Sequence, residues 1–167
     1  MKIKTIIIKW LVVLGLFLIA LQPSFADDRA QIVGVWKLVS WEWEVQATGA
    51  RLPSMGKNPT GYRVFTPEGR MMQIVTAEGR KAPNTEKERA ALLDSMVAVT
   101  GMYRLEGDRI IANIDVAWQP ADVGPEKVSS FKFEGNRLQI IGDWQPSMRA
   151  GVPGRMGRVI TTWERAK

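Results

Sequence analysis

The sequence predicts an all-β protein, an eight-stranded antiparallel up-and-down barrel with one short helix between the third and fourth strands, and three observations carry that reading. Eight runs rich in β-branched and aromatic residues follow one another. Tight-turn residues join three pairs of them directly. The segment 27–167, 141 residues without cysteine, is long enough to bury one core without disulfide staples.

Ahead of the barrel, Lys2, Lys4 and Lys9 precede an apolar run of 12 residues from Trp10 to Leu21, and the small-x-small end Ser24-Phe25-Ala26 follows. That order is a secretory signal cleaved after Ala26, and the run is shorter than the roughly 20 residues a spanning helix needs. The expected organisation is therefore a leader, 1–26, and one domain, 27–167, in a periplasmic or secreted protein with no membrane span after cleavage. The leader holds three of the 23 basic residues and none of the 17 acidic ones, so the mature part carries 20 against 17, a net +3. Such a balance gives no case for nucleic acid.

The first strand, 33–46, is long and free of proline. Thr48-Gly49 opens a loop that runs through Pro53, Gly56 and Pro59. The strand 61–66 then turns through Thr66-Pro67-Glu68-Gly69, a type I pattern, into its partner 70–76. Thr85 and Glu88 form a capping box that starts the helix, and Ala90, Leu93 and Val97 mark its apolar face, suited to a lid at a barrel mouth or to an outer cover. Gly107-Asp108 and Gly135-Asn136 are two-residue hairpin loops joining 101–106 to 109–117 and 127–134 to 137–143. The strand 157–165 ends the domain.

Histidine and cysteine are both absent from the sequence. Histidine is the usual general base near neutrality, and both are the usual zinc ligands, so Ser-His-Asp and Cys-His sites and nitrogen/sulfur zinc sites are excluded. Nothing in the pattern calls for a metal or a cofactor.

Gly34-x-Trp36 at the start of the first strand and Trp163-Glu164-Arg165 at the end of the last resemble the lipocalin barrel. The resemblance implies that Trp36 closes one end beneath Arg165, with Gly34 completing the motif. Further matches extend it over nearly the whole domain: Leu38 and Ser40, Tyr62 to Gly69, Gly101-x-Tyr103-Arg104, Gly107-Asp108-Arg109 and Gly135-Asn136-Arg137-Leu138. Together they resemble the lipocalin-like domain family of small bacterial and fungal proteins, which implies a barrel with a cavity. Asn113 and Asp115 stand where family members often carry histidine, Asp122 where an aromatic is common, and Ser129 where an arginine is common.

Strand alternation assigns the walls. With Trp36 inward, Leu38, Ser40 and Glu42 follow, leaving Val39, Trp41, Trp43 and Val45 on the outer face. Tyr62 with Val64, Met72 with Ile74, Tyr103 with Leu105, Phe131 with Phe133, and Trp163 with Thr161 and Val159 complete the interior. The expected ligand-binding residues are Leu38, Ser40, Tyr62, Met72, Tyr103, Asn113, Asp115, Phe131, Trp144 and Trp163. Their chemistry suits a small apolar or aromatic molecule, with Arg149, Arg155 and Arg158 near Asp143 available to attract an anionic one. The leading reading is thus binding or carriage of such a ligand, ahead of catalysis. Two alternatives stay open: a cofactor-independent isomerase, lyase or hydratase with Asp115 as base and Tyr62 or Tyr103 assisting, and an interaction module built on an outward Trp41 and Trp43 face.

Overall fold

The strand β1, Gly34–Val45, organises the molecule, because it is long enough to pair with three other strands. A computed structural model describes residues 25–147 and 155–167, so the leader before residue 25 and Arg149 lie outside the described residues. In chain order the elements are α1 (Phe25–Ile32), β1, β2 (Arg51–Pro53), β3 (Thr60–Phe65), β4 (Arg70–Thr76), α2 (Glu86–Asp94), β5 (Met96–Glu106) and β6 (Arg109–Ala117). A 3-10 turn (Pro120–Asp122), β7 (Lys127–Glu134), β8 (Arg137–Gly142), β9 (Gln145–Pro146) and β10 (Met156–Arg165) follow.

Each long strand is hydrogen-bonded antiparallel to the next, in the order β1-β3-β4-β5-β6-β7-β8-β10, and β10 returns to β1. The result is the expected closed eight-stranded barrel, which leaves no long edge unpaired. The short β2 extends the sheet beside the far half of β1, and β9 does so beside β10. Because β2 falls within what the sequence read as loop, the helix α2 stands between the fourth and fifth strands rather than the third and fourth.

Two irregularities set which residues face inward. In β1, Leu38 pairs with Trp163 and Ser40 with Thr162, so Val39 has no partner and bulges. A one-residue bulge reverses the phase of everything beyond it. Trp36 and Leu38 face inward before the bulge; Trp41, Trp43 and Val45 do so after it, while Ser40 and Glu42 turn outward. The expected outward Trp41 and Trp43 face is therefore corrected: Trp43 is buried and Trp41 packs on the core. In β6, Thr100 pairs with Val116 and Gly101 with Ile114, so Asp115 is the bulged residue and lies outside.

α2 carries the capping box, with Thr85 Oγ1 accepting from Glu88 N at 3.2 Å and Glu88 Oε2 accepting from Thr85 N at 3.1 Å. It ends at Asp94, and no residue of it is buried. The expected apolar face dissolves, because Ala90 and Leu93 are exposed and Val97 belongs to β5. α2 rides on the surface beside β5 rather than plugging the barrel.

The core fills one half of the barrel. Trp36, Phe65, Leu138, Trp163 and Ile32 are each at most 1% exposed, and Phe131 and Phe133 meet edge to face at 5.8 Å beside them. Burying such side chains contributes about 1.5–3 kcal/mol each before entropy is counted.

Candidate functional site

The packed half is closed at its end by α1 and the C-terminus. Trp36 Nε1 donates to the Ile32 carbonyl at 2.7 Å, and Arg165 lies over the Trp36 ring at 4.4 Å while donating to the carbonyls of Val33 (2.7 Å) and Gln31. Gly34 has φ +134°, and a Cβ there would overlap the Arg165 guanidinium. Glycine at this position is what lets the arginine cover the indole.

The other half is hollow. A cavity of about 430 Å³ opens between the ends of β5, β6, β7 and β8, its wall formed by Trp41, Met71, Val97, Val99, Ile110, Ala112, Ile114 and Ile140. Its mouth carries Asp122, Glu126, Lys127, Ser129, Asp143 and Gln145. Two of these carboxylates already hold a cation, Asp122 with Lys127 at 3.3 Å and Glu126 with Arg104 at 2.6 Å. The volume lies in the range of small-molecule pockets, and the wall is apolar as such pockets are.

One charge borders this cavity from within. Arg63 enters from β3 between Gly61 and Phe65, the inward residues of that strand. Its guanidinium donates to Gln73 Oε1 on β4 and stacks over Trp163 at 5.1 Å and Phe65 at 5.7 Å. Its Nε finds no acceptor, and among the described residues no carboxylate pairs with it. Burial pushes the guanidinium down to about 9, which leaves it charged at neutral pH. The rings beneath it offset part of the cost of removing that charge from water, and a weakly hydrated guanidinium tolerates such a place better than an ammonium would.

The residues expected from alternation divide three ways. Leu38, Phe131 and Trp163 are inside, but in the packed half. Tyr103 is also inside, beside Phe65 at 4.9 Å, with its hydroxyl donating to the Thr66 carbonyl at 3.0 Å. It borders a smaller hollow at the closed end, with Arg29, Pro67, Glu68 and Leu105, and burial pushes its phenol further up, away from proton transfer at neutral pH.

The register places the remaining expected residues outside the cavity. Tyr62 and Met72 are 49% and 46% exposed on the outer face, with Ile74 beside them, because Gly61, Arg63 and Phe65 take the inward places on β3 and Met71, Gln73 and Val75 on β4. Ser40 points outward beyond the Val39 bulge, and Asn113 is exposed. Asp115 is outside and exposed; its oxygens accept from Arg70 at 2.8 and 3.1 Å, which holds its carboxyl below the usual aspartate value. It is a solvated ion pair rather than a base in an apolar pocket. Trp144 is 38% exposed and stacks under Arg158 at 4.2 Å, outside the cavity wall.

Sequence reasoning missed Trp41, Arg63, Met71, Ile110, Ala112, Ile114 and Ile140, the residues that do line the cavity. On β6 and β8 the alternation of Ile110, Ala112 and Ile114, and of Leu138 and Ile140, held that information. On β3 it pointed the wrong way, since the charged Arg63 faces inward beside Phe65 while the apolar ring of Tyr62 faces outward.

The comparisons with known proteins agree with this architecture. A family model described as a lipocalin-like domain matches residues 33–166, from just before β1 to just after β10. No curated protein matches the chain.

Proposed function

The chain belongs to the lipocalin-like domain family, and from that premise we propose that it binds or carries a small, mostly apolar molecule inside the barrel. The observation that carries this reading is the half-hollow interior: a cavity of about 430 Å³ with an apolar wall and one open end, in a barrel whose other end is sealed by Trp36 and Arg165. A small apolar ligand gains by leaving water for such a wall, and a few polar groups then decide its orientation.

Export completes the proposal. The leader lysines, the apolar run and the Ala26 site support release of the barrel into the periplasm or the medium. There it would act as a binder for molecules poorly soluble in water. The catalytic alternative loses the base it named, since Asp115 is outside the cavity and paired with Arg70.

The test is native mass spectrometry of the mature protein from its own host, together with titration of a neutral apolar fluorophore such as N-phenylnaphthylamine. A retained adduct and saturable fluorescence are expected. Ala112 lies in the cavity wall and is buried. Ala112→Phe should fill the space and abolish both signals while the chain stays folded by circular dichroism. Saturable binding that survives Ala112→Phe unchanged would remove the cavity as the site.

A further inference from the structure

We propose that the ligand is an amphiphilic monocarboxylate and that Arg63, in the wall of the cavity, pairs with its carboxylate. This rests on the cavity reading above and adds the head group to it.

Several arginines of the chain are completed by carboxylates. Arg70, Arg104 and Arg158 each hold a carboxylate at 2.5–2.8 Å near the surface, where water would have screened them anyway. Arg63, enclosed beside the cavity, holds none among the described residues. Its hydrogen bond to Gln73 orients the guanidinium without neutralising it, and its Nε has no acceptor. A buried cation is tolerated when an anion completes it, and a guanidinium offers the planar, two-point donor edge that a carboxylate fits. An anion arriving from solvent is the partner this arrangement lacks.

The mouth disfavours the head group. Asp122 and Glu126 border it already paired with Lys127 and Arg104, and Asp143 adds a carboxylate with no ion pair among the described residues. A carboxylate resting there would meet like charge, whereas one at Arg63 meets an unpaired cation. The tail then lies against the apolar wall of Trp41, Met71, Ile110 and Ile140. A neutral ligand of the same shape would leave Arg63 uncompensated and forfeit that gain.

Decanoate and decanol, titrated by displacement of N-phenylnaphthylamine at neutral pH, separate the head from the tail. The unmodified mature protein should bind decanoate at least about tenfold more tightly than decanol, a difference of about 1.4 kcal/mol. Arg63→Met should erase that preference while decanol binds as well or better, and its melting temperature should stay level or rise, since an uncompensated buried charge has been removed. Arg63→Lys, which keeps the charge but loses the planar fork, should retain part of the preference and covers the case in which the methionine variant fails to fold. Equal binding of the two ligands by the unmodified protein would overturn the proposal while leaving the cavity reading intact. So would a preference that survives Arg63→Met, or one abolished by Lys127→Met instead. Failure of N-phenylnaphthylamine itself to bind would remove the cavity reading, and this proposal with it.

Discussion

Gly34 shows how a single atom decides whether the barrel closes. Its φ of +134° is costly for any residue with a Cβ, and the space where that Cβ would stand is taken by Arg165. Gly34→Ala should lower stability by about 1–3 kcal/mol through strain and displacement of the arginine from Trp36. Urea unfolding measures this. In an Arg165→Ala background the same substitution should cost less, because the overlap is gone and only the backbone strain remains. A full-sized loss in both backgrounds would mean the strain alone accounts for it. At this scale the sealed end was legible, since Gly34, Trp36 and Arg165 are residues whose types announce their contacts. Arg63 was not. Alternation reading places apolar residues inside, and at Arg63 and Gln73 the polar residues are inside while Tyr62, Met72 and Ile74 face water. Sequence rules fail where a site needs a polar group in an apolar place, so the misread phase of β3 and β4 is itself a mark of the site.

The elements differ in how much of their behaviour is local. Thr85 and Glu88 build α2 from its own sequence, and the helix buries nothing against the barrel. Thr85→Ala should therefore cost about 1 kcal/mol of helix stability and appear as faster amide exchange confined to 86–94, with the global unfolding midpoint unchanged. A lowered global midpoint would show that α2 is coupled to the barrel after all. The hairpins at Gly107-Asp108 and Gly135-Asn136 were equally legible, because a two-residue loop dictates its own register: Glu106 pairs with Arg109 and Glu134 with Arg137. The bulges at Val39 and Asp115 were hidden for the opposite reason. A bulge is a mismatch between two paired strands, and neither strand alone records it. One such residue turned Trp41 and Trp43 from an imagined outer face into interior wall and core.

Closure of the whole molecule depends on β1 meeting β10, strands from opposite ends of the domain, and the seam is locked where Glu44 stands between two arginines. Glu44 lies directly opposite Arg158 on β10 and Arg51 on β2, accepting from them at 2.5 and 3.3 Å. The count of strands made a barrel legible in the sequence, but this junction was not, since it requires the register of three strands at once. Its electrostatics give a pH signature. The Arg158 hydrogen bond holds the Glu44 carboxyl below its ordinary 4.5, against an opposing push from burial, and Arg51 adds to the lowering. A carboxyl with a lower value in the folded chain than in the unfolded one stabilises the fold fully above 4.5 and ceases to do so as pH falls through the lowered value. Glu44→Gln should thus destabilise the protein by about 1–2 kcal/mol at neutral pH, because two partly exposed arginines lose their shared partner. Urea unfolding followed from neutral pH down to about pH 3 should show the two proteins converging on the acid side, since protonated glutamate and glutamine then present the same uncharged group to the seam. Parallel stability curves over that range would assign the loss to packing, and the β1–β10 junction would then be held by its hydrogen-bond ladder rather than by charge.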